Sequence, residues 1–122
     1  MQTHFKGTNY ELTEEIQNFT LKKLSAISKF VGKELETEAQ VFVELGRETG
    51  AHTQGKVWRA EFNFDQGSKR LRAQATEELL EDAIDEAIKD LSRELRSDKS
   101  RRESLGKRGG LVLKSMLRGF QP

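Results

Sequence analysis

Between Leu71 and Leu95 the apolar residues change period from two to nearly four with no loop between, and that junction constrains the fold more than any other stretch. Leu71, Ala73 and Ala75 alternate with Arg72 and Gln74, the pattern of a strand with one buried face. From there the apolar positions become Leu79, Leu80, Ala83, Ile84, Ala87, Ile88, Leu91 and Leu95, the stripe of an amphipathic helix. A strand that feeds such a helix buries both apolar surfaces at once if the helix lies on the sheet, which predicts a layered α+β domain. The helix also changes charge along its length. Glu77, Glu78, Glu81, Asp82, Asp85 and Glu86 crowd its start; Arg93, Arg96, Lys99, Arg101 and Arg102 crowd its far end.

The rest of the chain supplies partners for that unit. Thr3 to Lys6 reads as a short strand with Phe5 inward, ending at Gly7. Thr13 is a predicted N-cap, because its hydroxyl can accept from an orphan backbone N–H, with Glu14 and Glu15 in the favourable first turn. Ile16, Phe19, Leu24, Ile27 and Val31 predict the buried stripe of a helix ending near Gly32, with Thr20 against the core. After a polar loop from Lys33 to Glu38, Val41, Val43 and Leu45 share one face of a strand. Gly46 to Gly55 reads as a mobile connection. Trp58, Ala60, Phe62 and Phe64 then alternate with Arg59, Glu61 and Asn63, and Asp65-Gln66-Gly67-Ser68 offers turn residues before the next strand. The expected fold is α+β, a β-α-β-β-β-α two-layer domain whose four-stranded sheet carries two helices on one face. Gly106 to Gly110 is expected to break the last helix. Leu113, Met116, Leu117 and Phe120 then form a short amphipathic patch, which divides the chain into a domain over residues 1–103 and a basic tail over 104–122.

Charge narrows the function. Residues 1–88 carry 11 Lys and Arg against 16 Asp and Glu, a balance of −5; residues 89–122 carry 10 against 4, a balance of +6. Acids at a helix start and bases at its end complement the helix dipole. The basic excess, however, continues through Lys107, Arg108, Lys114 and Arg118, which points to a polyanion partner. Lys22, Lys23 and Lys29 fall on the expected exposed side of the first helix, and Arg93, Arg96 and Lys99 recur at spacings of three. If the two helices lie side by side, these sets flank one groove and can hold phosphates with little base specificity.

Catalytic chemistry finds little support. The two histidines, His4 and His52, lie apart on an expected strand and an expected loop. The chain has no cysteine, so neither thiol chemistry nor a Cys-type zinc site applies. The acidic residues follow a solvated helix face, no ligand spacing suggests a metal, and no Gly-rich phosphate loop follows a strand. The expectation is a protein that is not an enzyme and needs no cofactor. No apolar run approaches the roughly 18 residues of a membrane span. Met1-Gln2-Thr3-His4 lacks the layout of a signal peptide, so a cytoplasmic protein is expected. Trp58 could stack on a base, but its alternation with Ala60, Phe62 and Phe64 favours the core; Phe120 is the better candidate for an exposed aromatic.

The order and spacing of several segments resemble the ribosome hibernation-promoting and ribosome-associated inhibitor family, also called sigma-54 modulation proteins. The segment Leu71-Arg72-Ala73-Gln74-Ala75-Thr76-Glu77-Glu78, continuing through Ala83-Ile84-Asp85 to Leu91-Ser92-Arg93-Glu94-Leu95-Arg96, is similar to the family's last strand and second helix. Phe5-Lys6-Gly7, Glu11-Leu12-Thr13, Ile16 and the Leu24, Ile27, Lys29, Phe30 spacing resemble its first strand and helix. This chain departs from the family at Leu79, where Asp is usual, at Glu81 for Tyr, at Asp90 for a frequent Lys, and at Ala26 for a basic residue.

The resemblance implies a fold like that of double-stranded RNA-binding domains and a partner in the small ribosomal subunit, its ribosomal RNA and the whole ribosome. Occupying the channel used by messenger and transfer RNA, such a protein silences or protects idle ribosomes during stress or stationary phase. The expected form is the short one, with neither a membrane nor a small-molecule partner. The candidate RNA-binding residues are Lys22, Lys23, Lys29, Lys89, Arg93, Arg96, Lys99, Arg101 and Arg102, with tail contacts from Lys107, Arg108, Lys114 and Arg118. Two rivals stand beside this reading: a general binder of structured RNA, and a protein-interaction adaptor that uses the sheet or the tail.

Overall fold

In the computed structural model, residues 1–31, 38–48, 55–67 and 69–119 are described, with side chains through Leu105. Four strands form one sheet in the order β1 (Gln2–Thr8), β2 (Gln40–Arg47), β3 (Trp58–Gln66), β4 (Lys69–Glu77). β1 runs parallel to β2, and the other neighbours are antiparallel. A parallel pair needs a crossover, and α1 (Glu14–Ser25) lies within it. The second helix, α2 (Leu80–Gly119), follows β4 directly. The expected β-α-β-β-β-α order and two-layer α+β class are borne out.

Strand alternation sets the layers. Val41, Val43 and Leu45 of β2, Ala60, Phe62 and Phe64 of β3 and Ala73 of β4 are buried on one face. The register places Phe62 between Val43 and Ala73. Leu24 and Ile27 from the α1 region and Ala83, Ile84, Ala87, Ile88, Leu91 and Leu95 of α2 close the core over that face. Each large side chain so buried contributes about 1.5–3 kcal/mol. Thr20 is fully buried and spends its hydroxyl on the Ile16 carbonyl, 2.8 Å away. β1 and β2 approach so closely that a Cβ on Gly46 would overlap the Thr8 carbonyl oxygen.

Thr13 caps α1 as expected, its Oγ1 accepting from the Ile16 N–H at 3.1 Å. The helix ends at Ser25, however, and not near Gly32. Ser25 Oγ donates to the Lys22 carbonyl and Ser28 Oγ to the Ser25 carbonyl, while the Ala26 and Ile27 N–H groups reach back only three residues. The chain tightens into a 3-10 turn at Ser28–Phe30 that still buries Ile27 and Val31. Asp65 and Gln66 are strand residues and not turn residues: Gln66 pairs with Lys69 across the β3–β4 hairpin. Gly67, at φ +60, takes the left-handed position that such a tight connection needs.

α2 is one continuous helix of 40 residues, about 60 Å long, and it passes through Gly106–Gly110 without a break. A helix already nucleated propagates past glycine at about 1 kcal/mol each, which a local composition argument overweights. Beyond Asp98 every described side chain, through Leu105, is exposed. Trp58 is half-buried and packs against the edge of the core, in line with the expectation. It sits at the start of β3, edge-on to Tyr10 at 5.2 Å with the Arg47 guanidinium 5.3 Å from its ring centre. Of the expected Lys33–Glu38 loop, residues 33–37 lie outside the described residues, as do residues 49–54 of the expected 46–55 connection, with His52, and Phe120; Gly46 and Arg47 belong to β2 and not to that connection.

Candidate nucleic-acid interface

Where α1 and the 3-10 turn lie beside α2, the chain leaves an open groove of about 400 Å³. Ala26, Ile27 and Ile88 form its floor, and Lys23, Lys89, Arg93 and Arg96 rise around it. Their spacing follows from helix geometry. Lys89, Arg93 and Arg96 sit at i, i+4 and i+7, one turn apart on the α2 face beside the buried stripe. Four of the basic residues singled out by sequence therefore converge. Lys22 is exposed on α1 outside the lining, and Lys29 belongs to the 3-10 turn and not to α1. Lys99, Arg101 and Arg102 lie further along α2 and are exposed. The side chains of Lys107, Arg108, Lys114 and Arg118 lie outside the described residues.

Most groove cations are held by carboxylates. Lys23 crosses to Asp85 at 3.2 Å and lies 5.5 Å from the Phe19 ring centre. Lys89 pairs with Glu86 at 3.3 Å, and Arg93 pairs with Asp90. These pairs are largely exposed, so each contributes between nothing and about 1 kcal/mol, and a phosphate can displace the carboxylate at small cost. They lower the net field of the groove without closing it. Among the described residues, Lys22, Lys29, Arg96, Lys99 and Arg101 have no carboxylate within 4.0 Å.

Arg96 is placed by an aromatic ring instead. Its guanidinium stands 5.8 Å from the Phe30 ring centre, and Lys29 approaches the same ring at 5.2 Å. Cation–π contacts at exposed sites contribute about 0.5–1 kcal/mol and leave the donors of Arg96 unused. In the sequence Phe30 stands out only within the family-like spacing of the first helix; its position directly after Lys29 was the signal for a place beside the groove. Arg102 is drawn elsewhere. It contacts Asp98 at 3.0 Å, and Asp98 also receives Lys69 from the start of β4. This cluster fastens α2 to the β3–β4 hairpin.

Among the described residues no group of three or more His, Asp or Glu is arranged to hold a metal ion. Nor, among them, is any helix long and apolar enough to cross a membrane. The groove offers cations, shape and one serine hydroxyl, Ser92. That equipment suits binding of an anionic partner.

Solved structures with the same fold include the N-terminal domain of Protein Y from Thermus thermophilus, at TM-score 0.64 and 24% identity over 80% of this chain and 98% of that one. A ribosomal subunit interface protein from Coxiella burnetii matches at TM-score 0.66 and 16% identity, over 82% and 99%. The sequence itself matches the family described as sigma 54 modulation protein / S30EA ribosomal protein over residues 3–103, a span that takes in all four strands, α1 and the sheet-packed part of α2. The chain belongs to the sigma 54 modulation protein / S30EA ribosomal protein family.

Proposed function

We propose that the protein is a non-enzymatic ribosome hibernation factor that binds the small subunit in the messenger and transfer RNA channel and silences or protects idle ribosomes. Family membership supports the ribosome as partner, and the observation that carries the site is the convergence of Lys23, Lys89, Arg93 and Arg96 on one groove. Ribosomal RNA presents phosphates at fixed positions on a folded surface, and a cationic groove on a rigid α+β layer recognises that shape more than sequence. The domain over residues 1–103 carries the main contact. Lys22, Lys29, Lys99, Arg101 and Arg102 extend it, and the tail adds Lys107, Arg108, Lys114 and Arg118.

Sedimentation of the protein with purified small subunits and whole ribosomes tests this. For six to ten phosphate contacts, binding should fall about a thousandfold or more between about 50 and 200 mM salt. Failure to sediment with either particle at low salt overturns the proposal. Duplex RNA as competitor separates a ribosome-directed factor from a general RNA binder: competition equal to that of ribosomes, phosphate for phosphate, favours the general binder.

A further inference from the structure

Among the described residues nothing covers the face of the sheet opposite the helices, and it is built unlike an ordinary solvated face. In one cross-strand row the register aligns His4, Phe42, Asn63 and Arg72, one residue from each strand. All four end in flat groups: imidazole, phenyl, amide and guanidinium. Phe42 is 43% exposed, among the largest apolar exposures of the described residues. His4 stacks on it at 4.8 Å between ring centres and 16° between planes, and its Nε2 lies 3.2 Å from Gln40 Oε1. Arg72 is held in place, its Nε donating to Glu61 at 2.6 Å and a terminal nitrogen to Gln74 at 3.3 Å. These in-plane bonds use the edge of the guanidinium and leave its faces for stacking.

Beside Phe42 lies a shallow hollow of about 330 Å³ bordered by Asn63, Asp65, Arg70 and Arg72. Arg70 is its loosest cation, 82% exposed and 3.8 Å from Asp65. An exposed aromatic beside a row of flat polar groups, rimmed by a loosely held arginine, matches the needs of unpaired bases on a charged backbone. A duplex hides its base faces and has no use for the row.

We propose that the open sheet face is a second RNA site, which takes a single-stranded segment by stacking a base on Phe42 within the His4–Phe42–Asn63–Arg72 row and placing a phosphate at Arg70. The choice of RNA rests on the ribosome reading above; the site itself lies on the opposite side of the sheet from the helical groove. The domain then carries two RNA contacts of different kinds, phosphates in the groove and bases on the sheet.

The test is fluorescence anisotropy of the full chain with a labelled, unstructured CA-repeat RNA of about eight nucleotides, and with the same strand annealed to its complement. Phe42→Ala should weaken single-strand binding roughly tenfold or more, as loss of one base–aromatic stack does. Phe42→Tyr should restore it, and neither change should alter duplex binding. Arg70→Gln should flatten the dependence of log affinity on log salt by about 0.7 for the single strand. Absence of single-strand binding by the unaltered protein overturns the proposal. So does a Phe42→Ala variant that binds like the unaltered protein, or one that loses duplex binding equally. Ribosome sedimentation is read separately, so loss of the hibernation reading and loss of this site are distinguishable results.

Discussion

At the scale of single residues the groove is a balance between cations and the carboxylates beside them. Arg93 and Arg96 are exposed, so Arg93→Glu with Arg96→Glu should abolish ribosome sedimentation while the far-UV circular dichroism and thermal midpoint stay near those of the unaltered protein. Asp90 acts in the opposite sense. It holds Arg93 and repels a polyanion, so Asp90→Asn should raise ribosome affinity severalfold at moderate salt, read from the same pelleting assay. Unchanged affinity would remove Asp90 from the binding surface. Part of this was legible in the sequence: Glu86 with Lys89 and Asp90 with Arg93 show as spacings of three on a helix. The Lys23–Asp85 bridge and the seating of Arg96 on Phe30 were not, because each joins residues more than 60 positions apart through tertiary packing.

At the scale of elements, sequence periodicity located the four strands of the sheet, α1 and α2, because one face of each meets the core. It failed at ends, where local hydrogen bonds compete with periodicity. The apolar stripe through Ile27 and Val31 continues past Ser25 although the helix does not, since a 3-10 turn buries the same side chains. The N-cap position of α2 is Leu79, whose side chain has no acceptor to offer. The Leu79 carbonyl accepts the first helical bond, from Ala83 N–H at 3.1 Å, and Leu79 itself is 57% exposed. Leu79→Asn should therefore stabilise the domain by about 1 kcal/mol, measured by urea denaturation, and no gain would show that the cap position is already satisfied. Past Asp98, α2 has the opposite character. Residues 99–105 bury no side chain, so this stretch gains little from packing. Amide protons of residues 99–105 should exchange orders of magnitude faster than those of residues 83–95. Equal protection would mean that a partner covers this stretch.

At the scale of the whole molecule, the sheet separates two chemically different surfaces, and only one was readable beforehand. The groove announced itself through charge, which composition records directly. The flat row on the open face did not, because His4, Phe42, Asn63 and Arg72 become neighbours only once the register of four strands is set. The fastening of Asp98 by Lys69 and Arg102 has a consequence at this scale as well. Among the described residues it is the last contact between α2 and the sheet, and roughly 30 Å of helix extends past it. The clasp thus behaves as a fulcrum: a tilt of about 5° there swings the far tip through about 3 Å, close to half a turn of helix pitch. Asp98, reached by Lys69 from β4 and by Arg102 from the next turn of α2 itself, anchors the base of that rod.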